Sequence, residues 1–307
     1  MDVSISPISA PSAHQLLTNG LDLHYFCWNP ADEHKPVALL QHGTGFVAAT
    51  FDGVAQRLCQ HFQVYAYDRR GHGLSSKVKD SYALIDFGED CLDFCRAMDF
   101  KEIYGVGHSA GATDLLIAES LNPRLFNKLF LMEPTINDPA PQVPQLTQTE
   151  GSLQSRIEQA RKRRSEFPSR RDVWQIYRAK PLFAPWTEAA LSAYIYYGFA
   201  QQTDDSVVLQ CHPELEAQIL ADIYRTFANS KSLDSARDPF AALAKITCPM
   251  AVSHSELSVP QFNELSRRAR LHFPHAKTVY FAETGHCVPQ EKPEALVQEV
   301  LNFWFED

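Results

Sequence analysis

The chain contains 307 residues, of which 45% are hydrophobic and 21% charged, and it carries a formal net charge of −9. These proportions are typical of a globular protein and exclude a disordered chain, a collagen-like fibre and a small disulfide-rich scaffold. The negative charge repels polyphosphate at long range, so we expect no nucleic-acid partner. No apolar run approaches the length of a membrane-spanning helix, and the first residues do not resemble a secretory signal, so we expect neither stable membrane insertion nor secretion.

Seven cysteines occur in the sequence, and none of them forms a CxxC pair. An odd number of cysteines without paired spacing is typical of reduced thiols. Cys91 and Cys95 are one helical turn apart, and we expect them to pack in a core rather than to bind a metal. The sequence therefore predicts a cytoplasmic protein without a metal site.

Short apolar runs alternate with longer helical patterns along the first third of the chain. The runs are Val37–Leu40, Val64–Tyr67, Ile103–Val106 and Lys128–Met132, and each ends in Gly, Pro or charged residues. This alternation is typical of strand–helix units joined into a mostly parallel sheet. Functional sites in such sheets lie at the carboxyl ends of the strands.

From Pro134 the pattern changes to a proline-spaced polar connector, NDPAPQVPQLTQ, which is followed by charged and aromatic helical patterns. No strand pattern returns until about residue 240. Then Pro249–Ser253 and Thr278–Phe281 resemble two more strands, and Glu294–Trp304 has the apolar spacing of one helix face. We therefore expect the sheet to resume after an inserted helical unit.

These patterns divide the chain into three segments. We expect residues 1–134 to form the first core segment, residues 135–238 to form an inserted helical unit, and residues 239–307 to form the second core segment. The fold class is α/β, with a mostly parallel central sheet flanked by helices.

The sequence Gly107-His108-Ser109-Ala110-Gly111 lies between the strand-like IYGV and the helical ATDLLIAESL. It fits a nucleophile elbow, in which a sharp turn from strand to helix exposes the serine. The two glycines suit that turn because Cβ atoms at their positions would collide with neighbouring structure. The amides at the start of the helix point at the space above Ser109, where they can stabilise negative charge.

A serine hydroxyl needs a nearby base, which is itself oriented by an acid. His286 lies in TGHCVPQEKPE, after the strand-like Thr278–Phe281 and before the last helix. This position places it on a loop at the carboxyl edge of the sheet. We therefore predict that His286 is the base.

Taken together, these motifs resemble those of the α/β-hydrolase superfamily. His42-Gly43-Thr44-Gly45 resembles its oxyanion loop, and the segment from Asp68 to Ser75, DRRGHGLS, resembles its DxRGxGxS motif. The resemblance implies that the backbone amides of Ala110 and Thr44 form the oxyanion hole. It also implies structural rather than catalytic roles for His42 and His72. Because an insertion at this position forms a cap over the active site in the superfamily, the resemblance also implies that residues 135–238 are a helical cap or lid. Within it, RRSEFPSRRDVW weakly resembles a lipase-like branch that includes a fungal peroxisomal lipase.

The acid departs from the usual pattern of the superfamily. Counting from Pro249, the position that usually holds an aspartate is Ser258, which cannot stabilise an imidazolium electrostatically. Glu256 and Glu133 are the two alternatives. Some superfamily members, haloalkane dehalogenases among them, take the acid from the end of the earlier strand, and we favour Glu133 on that resemblance.

A serine nucleophile disfavours dehalogenase and epoxide-hydrolase chemistry, which needs an ester intermediate on a carboxylate. The sequence therefore predicts an esterase-like or lipase-like serine hydrolase that acts without a cofactor on a small, partly apolar ester. Two alternatives stay open: a carbon–carbon or thioester hydrolase with the same triad, and a non-catalytic small-molecule receptor. The oligomeric state is not determined.

Two features of the predicted cap bear on its substrate. We expect its aromatic residues to form a partly apolar pocket roof or to pack in the cap's own core. They are Phe167, Trp174, Tyr177, Phe183, Trp186, Tyr194, Tyr196, Tyr197 and Phe199. A basic cluster, Arg161–Arg164 with Arg170 and Arg171, either docks an anionic group or forms a solvated helix face.

Overall fold

The computed structural model describes residues 5, 8, 11–30, 34–78, 81–136, 150–229, 243 and 246–306. The strands in chain order are β1 (Ser12–Thr18), β2 (Leu21–Trp28), β3 (Val37–Gln41), β4 (Gln63–Tyr67), β5 (Ile103–His108), β6 (Lys128–Met132), β7 (Glu166–Phe167), β8 (Phe199–Gln201), β9 (Val207–Leu209), β10 (Met250–Ser255) and β11 (Lys277–Phe281). The helices are α1 (Asp52–Leu58), α2 (Leu84–Ala97), α3 (Ala110–Leu121), α4 (Glu150–Arg161), α5 (Arg170–Arg178), α6 (Glu188–Gly198), α7 (Pro213–Asn229), α8 (Pro260–His272), α9 (Val288–Glu291) and α10 (Pro293–Trp304).

The central sheet has the strand order β1-β2-β4-β3-β5-β6-β10-β11 within these residues. The hairpin β1–β2 and the β2–β4 pair are antiparallel, and every other pair is parallel. Residues of β3 alternate between two hydrophobic clusters, because Ala38 and Leu40 belong to one and Val37 and Leu39 to the other. A strand that is buried on both faces is typical of a parallel sheet covered by helices.

Helices cover both faces of this sheet. Helices α1 and α10 supply Val54, Leu58 and Val300 to one hydrophobic cluster. Helices α2 and α3 supply Phe94 and Leu115 to the other cluster. The predicted fold class, a mostly parallel sheet flanked by helices, is therefore confirmed.

The strands predicted from the sequence agree with the observed ones to within two residues at each end. The antiparallel hairpin β1–β2 was not predicted. Its first strand has mostly exposed and half-buried side chains. It therefore lacks the apolar run that marks the buried parallel strands.

Helices α4 to α7 lie between β6 and β10 in the sequence and outside the central sheet. They are accompanied by a small antiparallel sheet of order β7-β9-β8. The expectation that this segment contains no strands is therefore wrong, because strands of two or three residues are too short to give a sequence pattern. The polar connector and the predicted boundary at residue 238 lie outside the described residues.

In the part of the chain that is described, none of the helices combines the length and apolar character that crossing a membrane requires.

Candidate active site

Ser109 lies at the sharp turn between β5 and α3, with backbone angles φ 55° and ψ −121°. A positive φ is strained for a residue with a side chain, so the surrounding structure must hold it. Its amide donates to the Met132 carbonyl oxygen on the neighbouring strand at 2.8 Å. A Cβ on Gly107 would lie 2.4 Å from the Ala112 Cα, and one on Gly111 would lie 2.4 Å from the Gln41 carbonyl oxygen. Both glycines are therefore required by close backbone contacts.

The predicted oxyanion donors, the amides of Ala110 and Thr44, belong to two segments that adjoin Ser109. Ala110 is the first residue of α3, and the first amides of a helix have no acceptor within the helix. The loop with Thr44 approaches from β3, since a Cβ on Gly43 would lie 3.1 Å from the Ser109 Cβ. Arg69 fixes this loop by donating from Nη1 to the Thr44 hydroxyl at 3.1 Å.

His42 and His72 connect the two loops that follow β3 and β4. His42 donates from Nδ1 to the Gly43 carbonyl and accepts the Arg69 amide on Nε2 at 3.0 Å. His72 accepts the Gly45 amide on Nε2 at 3.0 Å. Burial lowers the pKa of His42 to about 4 and lowers that of His72 well below its usual value. Both imidazoles are neutral hydrogen-bonding groups in the folded protein.

Glu133 follows β6 and is completely buried. Its Oε2 accepts two hydrogen bonds, one from His286 Nδ1 at 2.5 Å and one from the Ser258 hydroxyl at 2.7 Å. Its Oε1 accepts the Ser255 amide at 3.0 Å. The structure therefore brings Glu133 to His286, and the serine at the usual aspartate position contacts the same carboxylate oxygen.

Glu256, the alternative acid, points away from this group. Its side chain is exposed and its Oε2 accepts the Glu283 amide at 2.8 Å.

Two aromatic rings flank the His286 imidazole. The Phe262 ring stacks on it with centroids 3.7 Å apart and planes 8° from parallel. The second ring is that of His108, whose centroid lies 4.6 Å from that of His286. His108 also donates from Nε2 to the His286 carbonyl oxygen at 2.9 Å. These contacts restrict both the ring and the backbone of the loop that carries it.

Ser109, Ala110, Thr44 and His286 all line one cavity of about 240 Å³. Its wall is mostly apolar, and the apolar residues are Phe46, Leu182, Leu220, Ile223, Phe262 and Leu265. It continues into a wider cavity of about 530 Å³ that shares several of these residues. The predicted nucleophile, base and oxyanion donors thus face a common space.

Residues 37–299 match the alpha/beta hydrolase family. The chain belongs to this family. A segment of 138 residues is 32% identical to a monoglyceride lipase homolog of Monkeypox virus and covers 42% of this chain and 49% of that protein. A segment of 100 residues is 32% identical to a bifunctional esterase/perhydrolase of Acinetobacter calcoaceticus and covers 32% of this chain and 35% of that protein. This chain spans less than half the length of these curated relatives.

Among solved structures, an E-2-(acetamidomethylene)succinate hydrolase superposes with a TM-score of 0.75 over 96% of this chain and 100% of that one. The sequence identity is 19%, so the likeness concerns the fold.

The aromatic residues between positions 167 and 199 mostly pack against one another rather than line the two cavities. Of the aromatic residues proposed as a pocket roof, Phe183 is found in the wall of the wider cavity. The other aromatic residues of this set line neither cavity. Among them, Tyr177, Trp186 and Tyr194 pack against Phe183 at ring separations of 4.7 to 5.6 Å. Trp186 and Tyr194 also contact Phe46 of the loop after β3, so these aromatic side chains pack together against that loop.

Two members of the predicted basic cluster form ion pairs with carboxylates of helices α4 and α7. Arg161 pairs with Glu158 and Glu214, and Arg163 pairs with Glu216. Three other residues at the site were not predicted from the sequence: Arg156, His108 and Phe262. Their positions depend on contacts between distant segments, and no local pattern marks them.

Proposed function

We propose that this chain is a serine hydrolase that cleaves a carboxylic ester through Ser109, His286 and Glu133. The observation that carries the proposal is the hydrogen bond of 2.5 Å from His286 Nδ1 to the buried carboxylate of Glu133. It leaves the other ring nitrogen, Nε2, available as a base in the cavity that Ser109 also lines.

The reaction follows from this arrangement. His286 Nε2 takes the proton of the Ser109 hydroxyl as the oxygen attacks the ester carbonyl, and Glu133 stabilises the imidazolium that forms. The amides of Thr44 and Ala110 donate to the oxyanion, and each donor contributes roughly 3 kcal/mol to the transition state. His286 then protonates the leaving alcohol, and water attacks the acyl-enzyme with His286 again acting as base.

The cavity supports a substrate of moderate size with an apolar part. Its volume of about 240 Å³ is below the range typical of drug-sized ligands, and the wider cavity beyond it extends the available space. Helices α4 to α7 act in this proposal as a cap, since Leu182, Leu220 and Ile223 line the cavity. The names of the sequence relatives, a monoglyceride lipase homolog and an esterase/perhydrolase, support ester cleavage.

The state of the cysteines supports a reducing compartment, and we propose the cytoplasm. All seven cysteines are free thiols, and six of them are buried. Disulfides are rare in cytosolic proteins because the thiol pool keeps cysteines reduced.

A fluorophosphonate probe tests the proposal, because it reacts with an activated serine. We expect the wild-type protein to be labelled at Ser109 and to hydrolyse short p-nitrophenyl esters, and we expect Ser109→Ala to lose labelling and about ten-thousand-fold or more of the hydrolysis rate. Wild-type protein that is not labelled but binds small molecules tightly would identify a receptor and overturn the proposal. Labelling without cleavage of any ester, together with cleavage of a thioester or a carbon–carbon bond, would overturn the ester assignment.

A further inference from the structure

Arg156 of helix α4 lines the same cavity as Ser109 and His286. Its guanidinium donates to the Gln261 side-chain oxygen and lies 5.6 Å from the centre of the Phe262 ring. Both of these partners are uncharged. Among the described residues, Arg156 has no carboxylate within ion-pair distance.

The remaining charges around the two cavities do not offset Arg156. The charged residues other than histidine that line them are Arg156, Arg163, Lys180 and Glu216. Glu216 pairs with Arg163, which also donates to the Tyr177 and Tyr194 hydroxyls. The described lining residues thus carry an excess of positive charge in a protein with a net charge of −9. A cation in a cavity with an apolar wall attracts an anion more strongly than it does in open water.

Phe262 links this cation to the candidate base. One of its faces is stacked on His286 at 3.7 Å, and the Arg156 guanidinium lies 5.6 Å from the same ring centre. The distance from the Arg156 guanidinium carbon to the centre of the His286 ring is therefore at most the sum of these two distances. A short carbon chain spans such a gap between a reacting carbonyl and a second charged group.

We propose that Arg156 binds a carboxylate of the substrate, so that the preferred ester carries a free carboxylate a few carbon atoms from the scissile carbonyl. A half-ester of a short dicarboxylic acid has this form. Gln261 and Phe262 hold the guanidinium at the cavity wall, and its planar fork of N–H groups matches a carboxylate. The kinetic test of this inference rests on the proposed ester hydrolysis.

The test compares two esters of almost identical shape, p-nitrophenyl hemiglutarate and its neutral primary amide. The measured quantity is the ratio of their kcat/KM values. We expect the wild-type protein to favour the anionic ester by about tenfold or more, as befits a charge-assisted hydrogen bond, and we expect added salt to reduce the ratio. Arg156→Met should bring the ratio close to one, and Arg156→Lys should retain part of the preference.

Arg161→Met is the matched control, because Arg161 lies on the same helix and pairs with Glu158 and Glu214 outside the cavity. It should leave the ratio unchanged. Equal use of the two esters by the wild-type protein, or the same ratio in Arg156→Met, would overturn the inference.

A binding measurement separates this inference from the proposed function. Calorimetry on Ser109→Ala should show that glutarate binds and that the added Arg156→Met substitution weakens binding about tenfold or more. If the wild-type protein is not labelled by the fluorophosphonate while glutarate binding and its dependence on Arg156 are as expected, the proposed function alone is overturned. Labelling with no effect of Arg156 on binding or on the ratio would overturn the carboxylate site alone.

Discussion

At the scale of single residues, the side chains after two neighbouring strands meet at the proposed acid. Glu133 follows β6, and Ser258 follows β10 in the position where the superfamily pattern has aspartate. Both side chains meet at one point, because the Ser258 hydroxyl donates to the Glu133 oxygen that accepts from His286. A serine there satisfies a lone pair of the buried carboxylate, which would otherwise lack a donor. Ser258 therefore does not replace the missing aspartate as an acid. It donates a hydrogen bond to the carboxylate of Glu133, the proposed acid.

We expect Glu133→Gln to lower kcat by about a thousandfold or more with a smaller change in KM, because the amide no longer stabilises the imidazolium. Glu256→Gln is the matched control, since its exposed carboxylate contacts the Glu283 amide instead. Steady-state kinetics with a p-nitrophenyl ester measure both. A large loss in Glu256→Gln with normal activity in Glu133→Gln would identify Glu256 as the acid and contradict this prediction.

The double variant Glu133→Ala/Ser258→Asp tests whether a carboxylate at position 258 can take over the proposed role of Glu133. The new aspartate projects from a position whose hydroxyl lies 2.7 Å from the present carboxylate oxygen, and the alanine leaves room for it. We expect it to recover part of the activity that Glu133→Ala alone loses. A double variant that is folded by circular dichroism and no more active than Glu133→Ala would show that the two strand ends are not interchangeable.

At the scale of secondary-structure elements, the local sequence explains more of the core than of the site. The buried parallel strands give apolar runs, and the elbow between β5 and α3 needs two glycines in fixed places, so both could be predicted. The hairpin strand β1 and the short strands β7 to β9 could not, because exposure or length removes the pattern. The contact between Glu133 and Ser258 depends on the pairing of β6 with β10, which joins residues more than 100 positions apart in the chain.

The elbow gives a stability prediction. Alanine at Gly107 or Gly111 places a Cβ 2.4 Å from backbone atoms of Ala112 or Gln41, and backbone cannot rotate away. We expect each substitution to lower the free energy of unfolding by about 1–3 kcal/mol and to reduce activity, as measured by urea denaturation and ester hydrolysis. Gly53→Ala is the control: it lies in helix α1, its Cβ would be 3.4 Å from Pro293, and it should change stability by about 1 kcal/mol or less. Equal effects at all three positions would contradict the close-contact explanation.

At the scale of the whole molecule, neutral buried histidines join the loops around the site. His42 and His72 connect the loops after β3 and β4, and His108 connects the elbow to the loop of His286. Burial is the largest cause that lowers the pKa of each, to about 4 for His42 and well below the usual value for the other two. The contacts that His42 and His72 make by accepting backbone amides therefore depend on imidazoles that stay uncharged.

This arrangement determines the sign of a pH effect on stability. The unfolded chain protonates these histidines near pH 6.5, whereas the folded chain does so only at lower pH. Between about pH 4 and 6.5 the unfolded state binds more protons, so the histidine contribution to the free energy of unfolding is complete above pH 6.5 and decreases as the pH falls. For His42 alone, the loss over this window is about 3 kcal/mol. Burial raises the pKa of Asp90 to about 6, which gives a contribution of opposite sign below that pH.

Because opposing groups titrate in the same window, the measurement must follow the imidazoles themselves. Long-range nitrogen–proton NMR at pH 5.5 should show His42, His72 and His108 as neutral tautomers in the folded protein, and the histidines of the urea-unfolded chain as mostly protonated. His42 and His72 should show Nδ1 as the protonated nitrogen, since Nε2 accepts a backbone amide in both. If any of the three imidazoles titrates near pH 6.5 in the folded protein, that ring is exposed to water. The hydrogen bond that it makes between two loops would then be open for much of the time, which would contradict this prediction.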